Sequence, residues 1–312
     1  MSLAHSILNH LLMKNRIFYD PAHPKNYDKT RKGEVQAVSW MRIPKNGMIR
    51  QGELGGVPAE WISGTGNPSD RIVFYIHGGG FVTGSSAARR SFTVYIADKM
   101  KLNIVSVDYR LAPEHPFPAG CEDCLAAYRS LLEKYKANRI ALLGESAGGN
   151  LVLSLLLQIR EAGLPMPAGT FALSPTVQYD RELPSYRDNL KTDSIVTNLS
   201  DEVCDVYLRS REDAVLKDPI AAPYYGDFDG STPVVLFVSD SEVLLDDSLI
   251  MFEKLQEQNV PSKLYVRKGM MHTWIILPFF PESKKDLKIL ETEIRQAMEG
   301  TFTAADEPLK LK

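Results

Sequence analysis

The stretch that decides the fold is RIALLGESAGGNLVLSLLLQIREAG, residues 139–163. An apolar run leads into the pentapeptide Gly-Glu-Ser-Ala-Gly at 144–148, and a long helical pattern follows at once. A G-x-S-x-G pentapeptide between a strand and a helix is typical of a sharp turn that exposes a serine hydroxyl. The pentapeptide alone is a weak signal, and a plain glycine-rich turn is the alternative. Its context favours Ser146 as a nucleophile, with the free N–H groups of a helix N-terminus beneath it.

Short apolar runs alternate with longer helical patterns from residue 71 onward. The runs are RIVFYI, LNIVSVD, RIALLG, GTFALS, PVVLFVS and SKLYVR, and the helical patterns span 86–100, 120–136, 147–162, 246–259 and 283–298. Continuous apolar strands separated by helices indicate a parallel sheet covered on both faces, and right-handed crossovers make such a sheet doubly wound. We therefore predict a single α/β domain over residues 1–312, with a mostly parallel central sheet flanked by helices.

The N-terminal region departs from this alternation. Apolar side chains at helical spacing predict an amphipathic helix over residues 1–16, and the polar, Pro-containing residues 17–34 predict a loop. The stretches VQAVSWMRI at 35–43 and PAEWIS at 58–63 alternate in the manner of strands. We therefore expect a helix, a loop and a pair of strands before the parallel sheet begins.

A long insertion separates the runs GTFALS and PVVLFVS. Residues 176–225 are too many for a simple connection, and a long insertion at the strand ends of such a sheet is often a lid. We expect a helical cap built from about 1–30 and about 176–218. The Leu, Ile, Met and Tyr side chains of this cap either line a pocket or only pack onto the main domain, and the sequence leaves both roles open.

A second glycine-rich turn, YIHGGGFVTG at 75–84, also follows an apolar strand. Glycines let the backbone approach a ligand closely, and their N–H groups can stabilise an anion that forms during a reaction. A phosphate-binding loop is the alternative, but the stretch contains neither G-x-G-x-x-G nor G-K-[ST]. The N–H groups of Gly79 and Gly80, together with that of Ala147, are the candidate donors to an oxyanion.

A serine hydroxyl needs a base to become a nucleophile near neutral pH. Of the six histidines, His272 in GMMHTW follows the run SKLYVR and precedes the last helical pattern. It therefore lies at a strand end, on the same edge of the sheet as Ser146. We interpret His272 as the base, whereas His77 in the glycine turn and His115 in a Pro-rich stretch are better explained by structural roles.

Four carboxylates follow the run VVLFVS, namely Asp240, Glu242, Asp246 and Asp247. A solvated turn, a metal site and a catalytic acid are all compatible with such a cluster. Asp246 and Asp247 open a helical pattern, where carboxylates suit the N-terminal turn. A metal site is disfavoured because no histidine lies near the cluster in the sequence. A catalytic acid between the serine and the histidine would give the chain order Ser, acid, His.

The composition excludes several classes of function. The 312 residues carry a formal net charge of −3, with 44% hydrophobic and 24% charged residues, which is ordinary for a globular protein and argues against nucleic-acid binding. Three cysteines give no disulfide framework and fit a reducing compartment. No secretory signal and no run of eighteen apolar residues is apparent. We expect a cytoplasmic protein without a membrane span.

Six stretches together resemble the hormone-sensitive-lipase-like family of α/β-hydrolases, the bacterial type IV carboxylesterases. They occur in the family's order, as HGGGF (77–81), DYRLAPEHPFPA (108–119), GESAGG (144–149), DPIAAPYYGDFDG (218–230), SEVLLDDS (241–248) and GMMHTW (269–274). The resemblance implies an α/β-hydrolase fold, a helical cap and hydrolysis of short- to medium-chain acyl esters without a cofactor or a metal. It also implies a homodimer through the edge of the last strand, here KLYVR at 263–267.

Two positions depart from the family's pattern. Glu145 precedes the nucleophile, where the family commonly has Asp. The family's acid lies in a D-P-L-x-D pattern, and the matching residues here are Glu242-Val243-Leu244-Leu245-Asp246. The resemblance therefore implies that Glu242 completes a triad with the serine and the histidine, with Asp240 second and Asp246 third in rank. Glutamate also serves in such triads, since it can hold the imidazole tautomer and stabilise the imidazolium.

Other functions remain as alternatives at this stage. A deacetylase or an amidase would use the same machinery with a different pocket. A non-catalytic receptor on this fold would be expected to have lost a member of the triad, and here Ser146, Glu242 and His272 are all present. A small-molecule ester is therefore the expected substrate.

Overall fold

Nine strands form one sheet in the computed structural model, which describes residues 2–16, 18–23, 25–38, 47–179 and 182–312. The strands are β1 (Gly47–Leu54), β2 (Val57–Gly64), β3 (Ile72–Ile76), β4 (Asn103–Val107), β5 (Ile140–Glu145), β6 (Gly169–Leu173), β7 (Val234–Ser239), β8 (Ser262–Arg267) and β9 (Leu309–Leu311). Their order is β1-β2-β4-β3-β5-β6-β7-β8-β9, and only β2 runs antiparallel to its neighbours. The predicted fold class, a mostly parallel doubly wound sheet, is confirmed.

Ten α-helices lie within the same described ranges. They are α1 (Leu3–Lys14), α2 (Tyr27–Val38), α3 (Arg90–Tyr95), α4 (Ala119–Leu132), α5 (Ala147–Glu161), α6 (Pro184–Asp188), α7 (Leu199–Glu202), α8 (Asp213–Leu216), α9 (Leu245–Glu257) and α10 (Pro281–Glu299). Each of the five predicted helical patterns overlaps one of these helices, namely α3, α4, α5, α9 and α10 in chain order. The short helices α6, α7 and α8 belong to the insertion at 176–218.

The strands β3–β8 are buried on both faces, and their alternate side chains enter separate cores. In β3, Phe74 and Ile76 join the core cluster that also contains residues of α4, α5 and α9. Val73 and Tyr75 join the opposite cluster, which includes residues of α10. Strands covered on both faces need apolar side chains at every position, which explains why the sequence shows continuous apolar runs. This arrangement fixes the strand ends that carry the candidate site.

The N-terminal region differs from the sequence prediction. The helix predicted over 1–16 is confirmed as α1, but residues 27–34 belong to α2 rather than to a loop. The strand predicted over 35–43 is wrong for 35–38, which are helical, and its remainder lies outside the described residues. PAEWIS lies inside β2, as predicted.

A tertiary anchor explains why α2 forms from a polar sequence. Arg31 donates from Nε to the Val82 carbonyl at 2.8 Å and from Nη2 to the Ala112 carbonyl at 2.7 Å. Glu34 Oε2 accepts from the Gly84 N–H at 2.9 Å. These contacts hold the helix against the glycine-rich turn. Because polar contacts stabilise it, α2 does not need apolar residues at helical spacing.

The C-terminal edge of the sheet also differs from the prediction. β9 pairs in parallel with β8, with Leu309 opposite Tyr265 and Leu311 opposite Arg267. The stretch 263–267 is therefore not the last strand, and its outer edge is already paired. The homodimer that the family resemblance implied through this edge remains a proposal.

None of the helices in the described part of the chain is both long and apolar enough to cross a membrane.

Candidate active site

The site lies where parallel strands end on one edge of the sheet. Ser146 directly follows β5, Glu242 comes three residues after β7, and His272 comes five residues after β8. The carboxyl ends of parallel strands meet at the same edge, and ligands of doubly wound sheets bind in the crevice outside it. The fold therefore brings together three residues that are up to 126 positions apart in the chain.

Ser146 lies in a strained turn between β5 and α5. Its backbone has φ +54° and ψ −120°, a conformation that side-chain-bearing residues seldom adopt. The turn is possible because its neighbours are glycines. A Cβ on Gly144 would lie 2.2 Å from the Gly148 carbonyl oxygen, and one on Gly148 would lie 2.1 Å from the Ile76 carbonyl oxygen. Strand, glycines and helix together present the serine hydroxyl at the cleft.

His272 links the serine to the acid. Its Nε2 is 2.9 Å from Ser146 Oγ, and its Nδ1 is 2.5 Å from Glu242 Oε2. With the proton on Nδ1 the ring donates to the carboxylate and accepts from the serine hydroxyl, which suits a general base. Burial acts to lower the pKa of His272, but the charge and the hydrogen bond of Glu242, together with the charges of Asp193 and Glu145, raise that pKa above its ordinary value.

Glu242 is fully buried and uses both carboxylate oxygens. While Oε2 faces the imidazole, Oε1 accepts from Ser174 Oγ and from the Ser239 N–H, each at 2.8 Å. These two donors fix the carboxylate plane. Sequence reasoning missed Ser174, although its position directly after β6 places it at the same edge of the sheet.

The other three carboxylates of the cluster have separate partners. Asp240 accepts from the Gly269 N–H at 2.7 Å, and Asp246 accepts from the Ser185 N–H at 2.7 Å. Asp247 accepts from the Val177 N–H at 2.8 Å, and burial raises its pKa to about 7. Asp240 binds the loop before His272, and the two helix-start carboxylates hold the insertion.

Asp193 connects the insertion to residues 240–244, called here the acid loop because they contain the candidate acid Glu242. Sequence reasoning also missed Asp193. Its Oδ1 accepts from the N–H groups of Ile195 and Val196 at 2.9 Å, and its Oδ2 accepts from the Val243 N–H at 3.0 Å. The side chain is 1% exposed, so three hydrogen bonds compensate for its burial. Its negative charge adds to the influences that raise the pKa of His272.

The glycine turn is tied to the nucleophile turn through Glu145. This carboxylate accepts from the Gly78 N–H at 2.8 Å, from Arg89 Nε at 2.7 Å and from the Tyr75 hydroxyl. The contact explains what a glutamate does at this position. It holds one glycine turn against the other, and residues of both turns line one cavity.

The candidate oxyanion donors belong to the two turns that Glu145 connects, with Gly79 and Gly80 in one turn and Ala147 in the other. Gly79 has φ +121° and Gly80 has φ +62°, and a Cβ on Gly79 would lie 2.4 Å from the Thr83 carbonyl oxygen. Both glycines line the same cavity as Ser146. Ala147 is the first residue of α5, where a helix leaves backbone N–H groups without intrahelical partners.

A cavity of about 380 Å³ opens above the serine and is called here the catalytic cavity. The described residues that line it are Lys25, Tyr27, Thr30, Glu34, Gly79, Gly80, Val82, Thr83, Arg89, Glu145, Ser146, Ile195, Val196, Thr197, Glu202, His272, Thr273, Ile276 and Leu277. Residues from both segments of the expected cap therefore reach its wall. None of the described lining residues comes from α1. Leu8 and Leu12 of that helix pack against the core cluster that includes residues of α10, whereas Leu3, Ile7 and Leu11 are exposed.

The loop that carries His272 is held from two sides. On one side, His5 of α1 accepts the Met271 N–H through Nε2 at 3.0 Å. On the other, Trp274 donates from Nε1 to Asp286 of α10 at 2.8 Å. Asp286 is itself held by Arg267 at the end of β8. His272 is therefore positioned by two helices and by the strand that precedes it.

Comparison with known proteins agrees with this architecture. A family model described as the alpha/beta hydrolase fold matches residues 73–276. An esterase of Acinetobacter venetianus is 32% identical over 243 residues, which cover 77% of this chain and 79% of that protein. An acetyl-hydrolase of Streptomyces hygroscopicus is 29% identical over 283 residues, which cover 86% of this chain and 92% of that protein.

A solved structure shares nearly the whole fold. The crystal structure of an esterase from the bacterial hormone-sensitive lipase family has a TM-score of 0.88 and 31% sequence identity, and the match covers 96% of this chain and 99% of that chain. The likeness therefore extends from the sheet to the segments that surround the catalytic cavity.

Proposed function

Since the chain belongs to the α/β-hydrolase family and is a carboxylic ester hydrolase of the hormone-sensitive-lipase-like group, we propose that it works as a serine carboxylesterase through Ser146, His272 and Glu242. The observation that carries this proposal is the continuous hydrogen-bond relay from Ser146 Oγ through His272 to Glu242. The fully buried carboxylate holds the ring tautomer that leaves Nε2 free to accept a proton.

The first half-reaction forms an acyl-enzyme. Ser146 Oγ attacks the ester carbonyl while His272 Nε2 takes the serine proton, and Glu242 stabilises the resulting imidazolium. The N–H groups of Gly79, Gly80 and Ala147 stabilise the oxyanion of the tetrahedral intermediate, each donor contributing about 3 kcal/mol. His272 then gives the proton to the leaving alcohol as the carbon–oxygen bond breaks.

The second half-reaction releases the acid. Water gives a proton to His272 and attacks the acyl carbonyl, and the same donors receive the second oxyanion. The imidazolium returns the proton to Ser146 Oγ as the acyl–serine bond breaks, so the free enzyme is restored. No cofactor is needed for any of these steps.

The size of the catalytic cavity supports short to medium acyl chains. Its volume of about 380 Å³ lies at the small end of the range for ligand pockets. We propose that residues of about 1–30 and about 176–218 form a cap that closes the cavity. Initial rates on p-nitrophenyl acetate, butyrate and hexanoate should then exceed the rate on palmitate, and a faster rate on palmitate would contradict this part of the proposal.

The test of the mechanism is a Ser146→Ala variant assayed on p-nitrophenyl butyrate. Removal of the nucleophile should lower kcat by at least about 10⁴-fold. Ser154→Ala is the matched control, because Ser154 lies on α5 but does not line the catalytic cavity. Wild-type turnover by a folded Ser146→Ala protein would sink the proposal.

Two further points belong to the proposal. The name of the Streptomyces relative, an acetyl-hydrolase, supports acetyl among the acyl groups that are removed, so a deacetylase with the same machinery stays the second candidate. A cytoplasmic location is supported by the three cysteines, which are buried thiols that form no disulfide in the described part of the chain.

A further inference from the structure

One face of α2 is polar and forms a wall of the catalytic cavity. Tyr27, Thr30 and Glu34 are spaced three and four residues apart, which places them on one side of the helix, and all three line the cavity. A cavity that binds only a hydrocarbon chain is expected to have apolar walls, because buried polar groups without partners cost free energy. The helix therefore gives one side of the site a chemistry of its own.

An ion pair extends this polar wall. Lys25 donates to both carboxylate oxygens of Glu202, at 3.0 and 2.8 Å, and the Tyr27 hydroxyl donates to Glu202 Oε1 at 3.1 Å. The side chains of Lys25 and Glu202 are 29% and 10% exposed, and both line the cavity. A charged network at a cavity wall offers strong donors and acceptors to whatever replaces the water there.

The polar wall, formed by Lys25, Tyr27, Thr30, Glu34 and Glu202, is fixed by hydrogen bonds to the main domain. Arg31, which lies four residues after Tyr27 on the same side of α2, donates to the Val82 and Ala112 carbonyls, and Glu34 accepts the Gly84 N–H. These partners flank the glycine turn that carries the candidate oxyanion donors. The polar groups therefore keep a fixed relation to the ester carbonyl.

A second group of lining residues, called here the aliphatic wall, has the opposite character. Ile195 and Val196 of the insertion and Ile276 and Leu277 of the loop after His272 line the cavity with aliphatic side chains. An ester bound at Ser146 has two parts, the acyl chain and the alcohol. Two unlike walls suit two parts of unlike polarity.

We propose that the polar wall binds the hydroxyl groups of the alcohol part, so that the preferred substrates are short-chain acyl esters of polyols, with the acyl group against the aliphatic wall. This inference rests on the proposed esterase function and deepens it. A purely hydrocarbon alcohol would cover Lys25, Glu202 and Glu34 without replacing their water, which costs binding free energy. A polyol replaces that water with hydroxyl donors and acceptors, and sites built this way discriminate strongly against analogues that lack the hydroxyls.

The experiment compares glycerol monoacetate with propyl acetate. The two esters share the acetyl group and a three-carbon alcohol and differ by two hydroxyls. The ratio of their kcat/KM values, divided by the ratio of their hydroxide-catalysed rates, removes the difference in intrinsic reactivity. For the wild-type chain we expect this normalised ratio to be at least about tenfold in favour of glycerol monoacetate.

Variants test whether the named wall is responsible. Glu202→Gln and Glu34→Gln each keep the side-chain shape and remove a charged acceptor, and each should lower the normalised ratio by at least about fivefold, with the change mainly in KM. Glu114→Gln is the matched control. Glu114 also pairs with Arg31 of α2, but it does not line the cavity, so its ratio should stay at the wild-type value.

The outcomes separate this inference from the proposed function. A normalised ratio near or below one, or an unchanged ratio in both Glu202→Gln and Glu34→Gln, would overturn the polyol subsite while hydrolysis of propyl acetate keeps the esterase proposal. An equal fall of the ratio in Glu114→Gln would also overturn it, because the effect would then come from the position of α2. Absence of hydrolysis of both acetates and of p-nitrophenyl acetate would overturn the two proposals together.

Discussion

At the scale of single residues, two carboxylates two positions apart do different work. Glu242 faces His272 from a buried position, whereas Asp240 is exposed and accepts the Gly269 N–H. The extra methylene of glutamate reaches the imidazole and still leaves Oε1 for Ser174 and the Ser239 N–H. A glutamate in the family's aspartate slot is therefore compatible with a complete relay.

This difference predicts the effect of amide substitutions. Glu242→Gln should lower kcat on p-nitrophenyl butyrate by about 10³- to 10⁴-fold, because the amide neither holds the tautomer nor stabilises the imidazolium. Asp240→Asn is the control and should leave kcat near the wild-type value. Near-normal turnover in Glu242→Gln combined with a large loss in Asp240→Asn would move the role of acid to Asp240.

Asp193 gives a prediction about pH. The base must be neutral to act, so kcat/KM falls as the pH drops through the pKa of His272, which lies above the ordinary value of 6.5. Removal of the Asp193 charge takes away one influence that raises this pKa. Asp193→Asn should therefore shift the acid limb of the kcat/KM profile to lower pH.

A neutral contact in the same region provides the control for this shift. Ser185 donates from Oγ to the Val243 carbonyl at 2.6 Å and so holds the acid loop without a charge. Ser185→Ala should lower stability without moving the acid limb. An equal shift in both variants would show that loop position, rather than the charge of Asp193, sets the profile.

At the scale of elements, α1 contacts the loop that carries His272 through one buried side chain, His5. His5 is fully buried, its ring packs edge-on against Phe280, and its Nε2 accepts the Met271 N–H. An acceptor at Nε2 requires that this nitrogen carry no proton. Burial lowers the pKa of His5, which favours the neutral ring and keeps the contact at neutral pH.

His5→Ala should therefore weaken the attachment of α1 to the loop that carries His272. The substitution leaves the buried Met271 N–H without its acceptor, a cost of about 1–3 kcal/mol in the free energy of unfolding. His10→Ala is the control, because His10 lies on the same helix and is exposed. Urea unfolding of both variants measures the difference, and equal stabilities would contradict the role of His5.

Elements with a strong local pattern were predictable from the sequence, and elements formed by tertiary contacts were not. The parallel strands follow from continuous apolar runs, since both faces of the sheet are covered. In contrast, α2 buries only Tyr27 and contains Gly33, so its sequence has no apolar stripe from which a helix could be predicted. Its stability comes from the carbonyls that Arg31 reaches, which lie about fifty and eighty residues away.

The site shows the same division. Ser146 and His272 were predicted because a motif and a strand end identify them, and Glu242 because of chain order and the family slot. Asp193 and Ser174 have no motif, since their partners are backbone and carboxylate groups that only the fold brings near. The sequence therefore identifies the members of the proposed triad more readily than the residues that position them.

At the scale of the whole molecule, the two edges of the sheet are protected differently. β1 closes one edge as an eight-residue strand, and β9 closes the other with three residues. The C-terminal segment is also held by the Lys268 N–H, which donates to the Leu311 carbonyl at 3.1 Å. The three residues of β9 protect the backbone N–H and C=O groups along only part of the six-residue strand β8.

Deletion of residues 306–312 should therefore expose β8 and promote self-association. The N–H and C=O groups of Ser262–Arg267 that face β9 would then pair with the same strand of a second copy, at the edge where the family resemblance implied a homodimer. Light scattering after size exclusion should show a higher dimer fraction for the truncated chain than for the full chain at equal concentration. Lys310→Ala keeps β9 and should behave as the full chain does. A truncated chain that stays monomeric and soluble would show that the β8 edge does not support a dimer.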